Sequence, residues 1–97
     1  MSVRFHRLAS RELRLAVDWY RGRDLDTAIR FQSAVENAID RIEADPESHP
    51  VEHGRFRWVR VRRFPYRLIF ERLDGETVQV IAVVHSRRRP GYWKRRR

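Results

Sequence analysis

The apolar positions of this 97-residue chain change their period once, from helical spacing in the first half to strict alternation in the second. Val3, Phe5 and Leu8 stand among Arg4, His6 and Arg7 in a roughly alternating stretch that predicts a first strand. Ser10 then offers an N-cap for a helix to about Arg21, with Leu13, Ala16, Val17 and Tyr20 on one face, and Gly22 ends it. Asp24 or Asp26 caps a second helix, in which Ala28, Phe31, Val35, Ala38 and Ile42 recur at steps of three and four beside Ile29 and Ile39. Asp45-Pro46 closes it, because a residue before proline is pushed out of the helical region.

Glu47 to Gly54, with Pro50 inside it, reads as a polar loop, and strands begin beyond it. Val59 and Val61 alternate with Trp58, Arg60 and Arg62 in a second strand, and Pro65 marks the turn that opens a third, where Tyr66, Leu68 and Phe70 alternate with Arg67, Ile69 and Glu71. Asp74-Gly75 signals a tight hairpin into a fourth strand carrying Val78, Val80, Ala82 and Val84 on one face. The order β-α-α-β-β-β makes this an α+β fold, with two antiparallel helices packed on one face of a mainly antiparallel sheet. If Val59, Val61, Leu68, Phe70, Val78, Val80, Ala82 and Val84 meet the helices, then Trp58, Arg60, Arg67, Ile69, Ile81, Val83 and His85 form the opposite, open face. Apolar side chains mixed with arginine on an open face call for something that covers them.

Composition narrows this picture. An apolar content of 41% in this length builds one core, so residues 1–93 read as a single domain and 94–97 as a loose basic tail. The chain has no cysteine, which excludes disulfides and thiolate chemistry, and no segment with the length or apolarity of a signal peptide or a membrane span. A cytoplasmic protein with no membrane contact is the expectation. Residues 1–52 hold eight arginines against ten carboxylates, whereas residues 53–97 hold fourteen bases against three. The second half is therefore a polycation, almost wholly of arginine, whose planar fork suits phosphate and carboxylate. His6, His49 and His53 lack metal-ligand spacing and no glycine-rich phosphate loop appears, so neither metal nor cofactor is expected.

Arg63-Phe64-Pro65-Tyr66-Arg67-Leu68-Ile69-Phe70, the Asp74-Gly75 hairpin, Val78 to His85 and the arginine-rich end together resemble the sheet half of RelE/ParE toxins. Trp19-Tyr20 closing the first helix, and the second-helix pattern leading into Asp45-Pro46, extend the resemblance over nearly the whole chain. It implies the toxin of a type II toxin–antitoxin module, which arrests growth and is neutralised by a cognate acidic antitoxin that folds as it binds.

The family divides by target. RelE-like members cut mRNA on the ribosome as metal-independent endoribonucleases; ParE-like members inhibit DNA gyrase without catalysis. In the first reading Arg67 and Arg87 match strand-end arginines of the RelE face, Arg60 its second basic position, and Trp58 and Trp93 stand where a base and a tyrosine are expected, with Tyr92 alongside. Cleavage by a 2′-hydroxyl needs a proton acceptor, a proton donor and cations at the phosphate. Arg67, Arg87, His85 and Tyr92 are accordingly the catalytic candidates, with Trp58, Arg60, Arg62, Arg88 and Trp93 as nucleic-acid contacts. Charge and aromatics favour the ribosome and mRNA as partner. The Phe64-Pro65-Tyr66 lead-in, the Val84-His85 ending and the missing base at Trp58 favour the gyrase reading. A non-toxic nucleic-acid-binding module and an inactive toxin-like corepressor are further alternatives. The bland roles are a structural hydrogen bond for His85, an ion pair between Arg67 and Glu71, and solvated faces for Arg60 and Arg62.

Overall fold

A computed structural model describes residues 1–97 as β1 (Ser2–Phe5), α1 (Arg7–Arg21), α2 (Leu25–Ala44), a 3-10 turn (Pro46–Ser48), β2 (Val51–His53), β3 (Phe56–Val61), β4 (Tyr66–Arg72) and β5 (Thr77–His85). The sheet order is β1-β5-β4-β3-β2, with β1 parallel to β5 and the other neighbours antiparallel. The expected order of elements therefore holds, with one strand added. Val51–His53, read from sequence as loop, pairs with β3 through an irregular register. Three residues interrupted by a proline before them are too few to show a period.

The first helix starts earlier than Ser10. His6 is its N-cap, accepting the Leu8 N–H on Nδ1 at 3.0 Å, so Leu8 belongs to α1 rather than to the first strand. Histidine is a poor statistical cap, which is why the serine looked better. His6 is itself buried, and Nε2 lies 2.7 Å from the Arg97 carbonyl oxygen. With Nδ1 accepting, Nε2 holds the proton and donates it to that carbonyl. Asp24 precedes α2 in an extended conformation, and its carboxylate accepts from Thr27 Oγ1 at 2.7 Å. In the β4–β5 connection, Asp74 Oδ1 accepts both the Glu76 and Thr77 N–H groups at 2.8 Å, the local reason for the hairpin.

The helices bury Ala9, Ala16, Val17, Phe31, Val35, Ala38 and Ile42 against Val59, Val61, Leu68, Phe70, Val78, Val80 and Val83. Tyr20, Phe31, Phe64 and Tyr66 close one end of this core, Phe31 tilted against Tyr20 and Tyr66 and the other pairs edge to face, with centroids 4.9 to 6.4 Å apart. On β5 the expected faces exchange part-way along. Ile69 pairs with Ala82 but Phe70 with Val80, so Ile81 is an extra residue in a β-bulge. One inserted residue inverts every side chain beyond it. Val83, expected on the open face, therefore joins the helix-side core, and Ala82 and Val84, expected under the helices, face the other way.

That second face is not left open. Ile69, Ile81, Ala82, Val84 and Phe56 bury Trp93 against it, 1% exposed, with its ring 5.0 Å from Phe56 in an edge contact. Two of the last four residues, read from sequence as a loose tail, contact the body of the fold: Arg96 through its side chain and Arg97 through its carbonyl. Lys94 and Arg95 are exposed, whereas Arg96 returns to α1 and forms an ion pair with Glu12 at 2.8 Å.

Candidate functional site

Trp93 covers only one end of this face. At the other end, where β3 and β4 run beyond the tail and β5 stops, lies a depression of about 410 Å³ lined by Trp58, Arg60, Tyr66, Arg67, His85 and Arg88, among others. Period two places Trp58 and Arg60 on one face of β3, and the register sets Arg60 opposite Arg67 and Arg67 opposite Val84. Two like charges directly across a ladder repel, so the pairing needs compensation. Glu52 on β2 supplies some, its carboxylate 3.2 Å from Arg67 Nη2. Arg67 also stands 5.8 Å from the centre of the Trp58 ring, while its buried Nε has no partner. These guanidinium groups give the site forked donors of the kind that suit a carboxylate or phosphate oxygen.

His85 comes to this pocket from the end of β5, edge-on to Tyr66 at 5.0 Å. Its Nδ1 accepts the Arg87 N–H at 3.0 Å, so the neutral ring carries its proton on Nε2 and can offer a donor there but no acceptor. Burial, with Tyr20 nearby, raises the Tyr66 hydroxyl above its ordinary pKa. Arg87 is exposed and lies outside the pocket lining; Arg88 lines it and lies 4.0 Å over the Tyr92 ring. Arg62 faces elsewhere, beside Arg30, Arg63 and Ile29.

The C-terminal segment is held by one carboxylate. Glu12 Oε1 accepts from Val83 N–H at 3.0 Å and from Arg96 Nη1 at 2.8 Å; Oε2 accepts from Arg96 Nη2 at 2.8 Å and from the Tyr92 hydroxyl at 2.7 Å. Burial of the carboxyl opposes its ionisation, but the bonds from Arg96, Tyr92 and Val83 outweigh it and hold Glu12 below the ordinary carboxylate range. Burial first, and then the Glu12 charge, drive the Tyr92 hydroxyl well above its ordinary range.

With this geometry in view, the profile that matches the chain over residues 3–90 is that of the ParE toxin of the parDE type II toxin–antitoxin system. The chain belongs to the ParE toxin family. No curated protein matches it. Among solved structures it is similar to a chain of the chromosomal ParDE TA system from P. aeruginosa, at 19% identity and a TM-score of 0.73, covering 88% of this chain and 95% of that one. At that identity the likeness speaks for the fold. No helix of this ParE-family chain is long and apolar enough to cross a membrane.

The structure thus gathers Trp58, Arg60, Arg67, His85 and Arg88 around one depression, and separates Arg62, Arg87, Tyr92 and Trp93 from it. Trp93, expected to stack on a base, presents no free face because it is core. Tyr92, expected to move a proton, spends its hydroxyl on Glu12. Arg67 pairs with Glu52 and not with Glu71, whose carboxylate accepts from Arg55. Glu12 and Glu52 were missed. Glu12 gave a signal, an acid one turn from Ala9 and Ala16 on the buried side of a helix, but Glu52 gave none because its strand was not legible.

Proposed function

We propose that this chain is the toxin of a ParDE-type pair, acting in the cytoplasm, and that it arrests growth by binding DNA gyrase without cutting RNA. A cognate acidic antitoxin neutralises it. The observation that carries the reading is the Glu12 lock: the tyrosine and tryptophan that a phosphate-cleaving face would present are consumed in holding the C-terminus on the sheet. The remaining proton carrier, His85, has its acceptor nitrogen occupied by Arg87 N–H. Arginine alone can neutralise a phosphate but at neutral pH has no lone pair with which to accept a proton. In this reading Arg60, Arg67 and Arg88 bind an anionic surface of the gyrase–DNA complex, as a cluster of guanidinium forks with one unmet donor suits.

Order of failure in growing cells tests it. On induction of the chain, incorporation of labelled thymidine is expected to fall before that of labelled leucine, and co-expression of the acidic protein encoded beside it is expected to restore both. Leucine incorporation failing first, with mRNA cut within codons, would reverse the assignment in favour of ribosome-dependent cleavage.

A further inference from the structure

Three arginines follow one another after β5, and the fold takes only one of them into the basic depression. Arg87, Arg88 and Arg89 are all exposed, but of the three Arg88 alone lines the pocket, with its Cζ 4.0 Å from the centre of the Tyr92 ring. None of the fold's five ion pairs includes it. Its backbone is fixed as well, the N–H donating to the His85 carbonyl at 3.0 Å in the turn that leaves β5. A long side chain with no carboxylate paired to it is therefore held by an aromatic face.

That ring has a fixed place of its own. Gly91 takes φ at +75°, a left-handed conformation open to glycine, and the chain doubles back there so that residue 92 returns to residue 88. Tyr92 packs at the edge of the cluster around Trp93, and its hydroxyl donates to Glu12 Oε2 at 2.7 Å. The Arg96 guanidinium, 5.1 Å from the same ring, is already paired with both Glu12 oxygens, so the free cation at the ring is Arg88. Attraction through the ring face uses none of the N–H groups. They lie in the guanidinium plane and stay available for two oxygens of a phosphate or carboxylate.

We propose that Tyr92 is a positioning residue: its ring holds Arg88 at the rim of the depression that Arg60 and Arg67 also line, so that an anionic group of the partner meets a guanidinium fork already in place. The proposal rests on the reading of the depression as the surface that binds the gyrase–DNA complex, and adds to it the residue that sets one of its three forks. An arginine side chain loses rotamer freedom when it binds, and one ordered beforehand loses less, which tightens a complex without any new contact. Glu12 joins the two ends of the sheet face through this ring, since the carboxylate that locks the tail also fixes the tyrosine under Arg88.

The test measures inhibition of gyrase supercoiling by the full chain and its variants, with thermal melts alongside. Tyr92→Leu, which keeps an apolar side chain but no ring, is expected to raise the half-inhibiting concentration about tenfold. Tyr92→Phe keeps the ring but loses the bond to Glu12, and is expected to stay within about threefold of wild type even though its melt falls. Arg88→Ala is expected to cost about 30-fold, and adding Tyr92→Leu to it no more than about a further twofold, because a residue that acts through Arg88 then has nothing to act on. Tyr92→Phe as weak as Tyr92→Leu, either Tyr92→Leu or Arg88→Ala equal to wild type, or a double variant much weaker than Arg88→Ala overturns the proposal. A measurement on the wild-type chain requires no variant to fold: in nitrogen relaxation by NMR the Arg88 Nε–H is expected to be ordered and those of Arg87 and Arg89 mobile, and equal mobility of the three overturns it too. Wild-type chain that leaves supercoiling unimpaired brings down the gyrase reading itself, and the role assigned to Tyr92 with it.

Discussion

On one face of the sheet, two helices bury a cluster of fourteen residues from Ala9 to Val83; on the other, a short C-terminal segment closes a cluster of six around Trp93. The helix-covered face draws on many contacts spread over 35 residues of α1 and α2, so no single side chain decides it. The tail-covered face depends on one indole and one carboxylate. Trp58, packed at the edge of the Trp93 cluster, leads on to Arg60 and Arg67, so the same face is core at one end and an arginine-lined depression at the other. The sheet face is thus divided: the C-terminal segment buries Ile69, Ile81 and Val84, and Trp58, Arg60 and Arg67 line the depression beside it.

Substitutions that strike one face and spare the other sharpen this contrast. Trp93→Ala should have the largest effect, a loss of about 4 kcal/mol in a denaturant melt, because it removes the largest wholly buried side chain and nothing else can collapse onto Phe56 and Ile81. Glu12→Gln should come next, at about 3 kcal/mol, since it leaves Arg96 close to the sheet without its counter-charge. The same carboxyl sets a pH dependence. Its folded pKa lies below the ordinary value of 4.5, so its contribution is complete above that pH and is lost as pH falls through the lower folded value. Wild-type stability should therefore decline below about pH 4.5, and should decline less steeply in Glu12→Gln. A wild-type melt that is insensitive to acid would show that the lock is not formed in solution.

Arg67→Ala should separate the two ends of the face. Its bridge to Glu52 is partly exposed, so the melting free energy should change by no more than about 1 kcal/mol while growth arrest is lost. Full toxicity of a folded Arg67→Ala chain would remove the basic pocket from the function. The smallest effect concerns neither face. Arg63 joins β3 to β4 with φ at +70°, a left-handed conformation that costs a non-glycine residue energy, and Arg63→Gly should raise stability by about 0.5 kcal/mol after the entropy cost of glycine.

Periodicity made the element order, the helix faces and the hairpin legible, because each rests on local spacing: Ala28 to Ile42 on α2, and Asp74 with its two acceptor bonds in the turn. What it could not show depends on partners distant in the chain. The bulge at Ile81 is invisible in an unbroken run of apolar residues, and it decided the faces of Ala82, Val83 and Val84. The return of Arg96 to Glu12 spans 84 positions, the burial of Trp93 depends on Phe56 from a different strand, and an arginine-rich end after Pro90-Gly91 looks the same in sequence whether it is loose or locked. For the site, Arg60 and Arg67 were legible from alternation and register, whereas their acid, Glu52, came from a strand too short to read.

Binding without cleavage is tested most directly with purified components in parallel reactions: one holds gyrase and relaxed plasmid, the other ribosomes programmed with a defined mRNA. The expected result is that the chain blocks supercoiling and leaves the mRNA full-length by primer extension. Cleavage of the mRNA on the ribosome, with supercoiling unimpaired, would contradict the assignment.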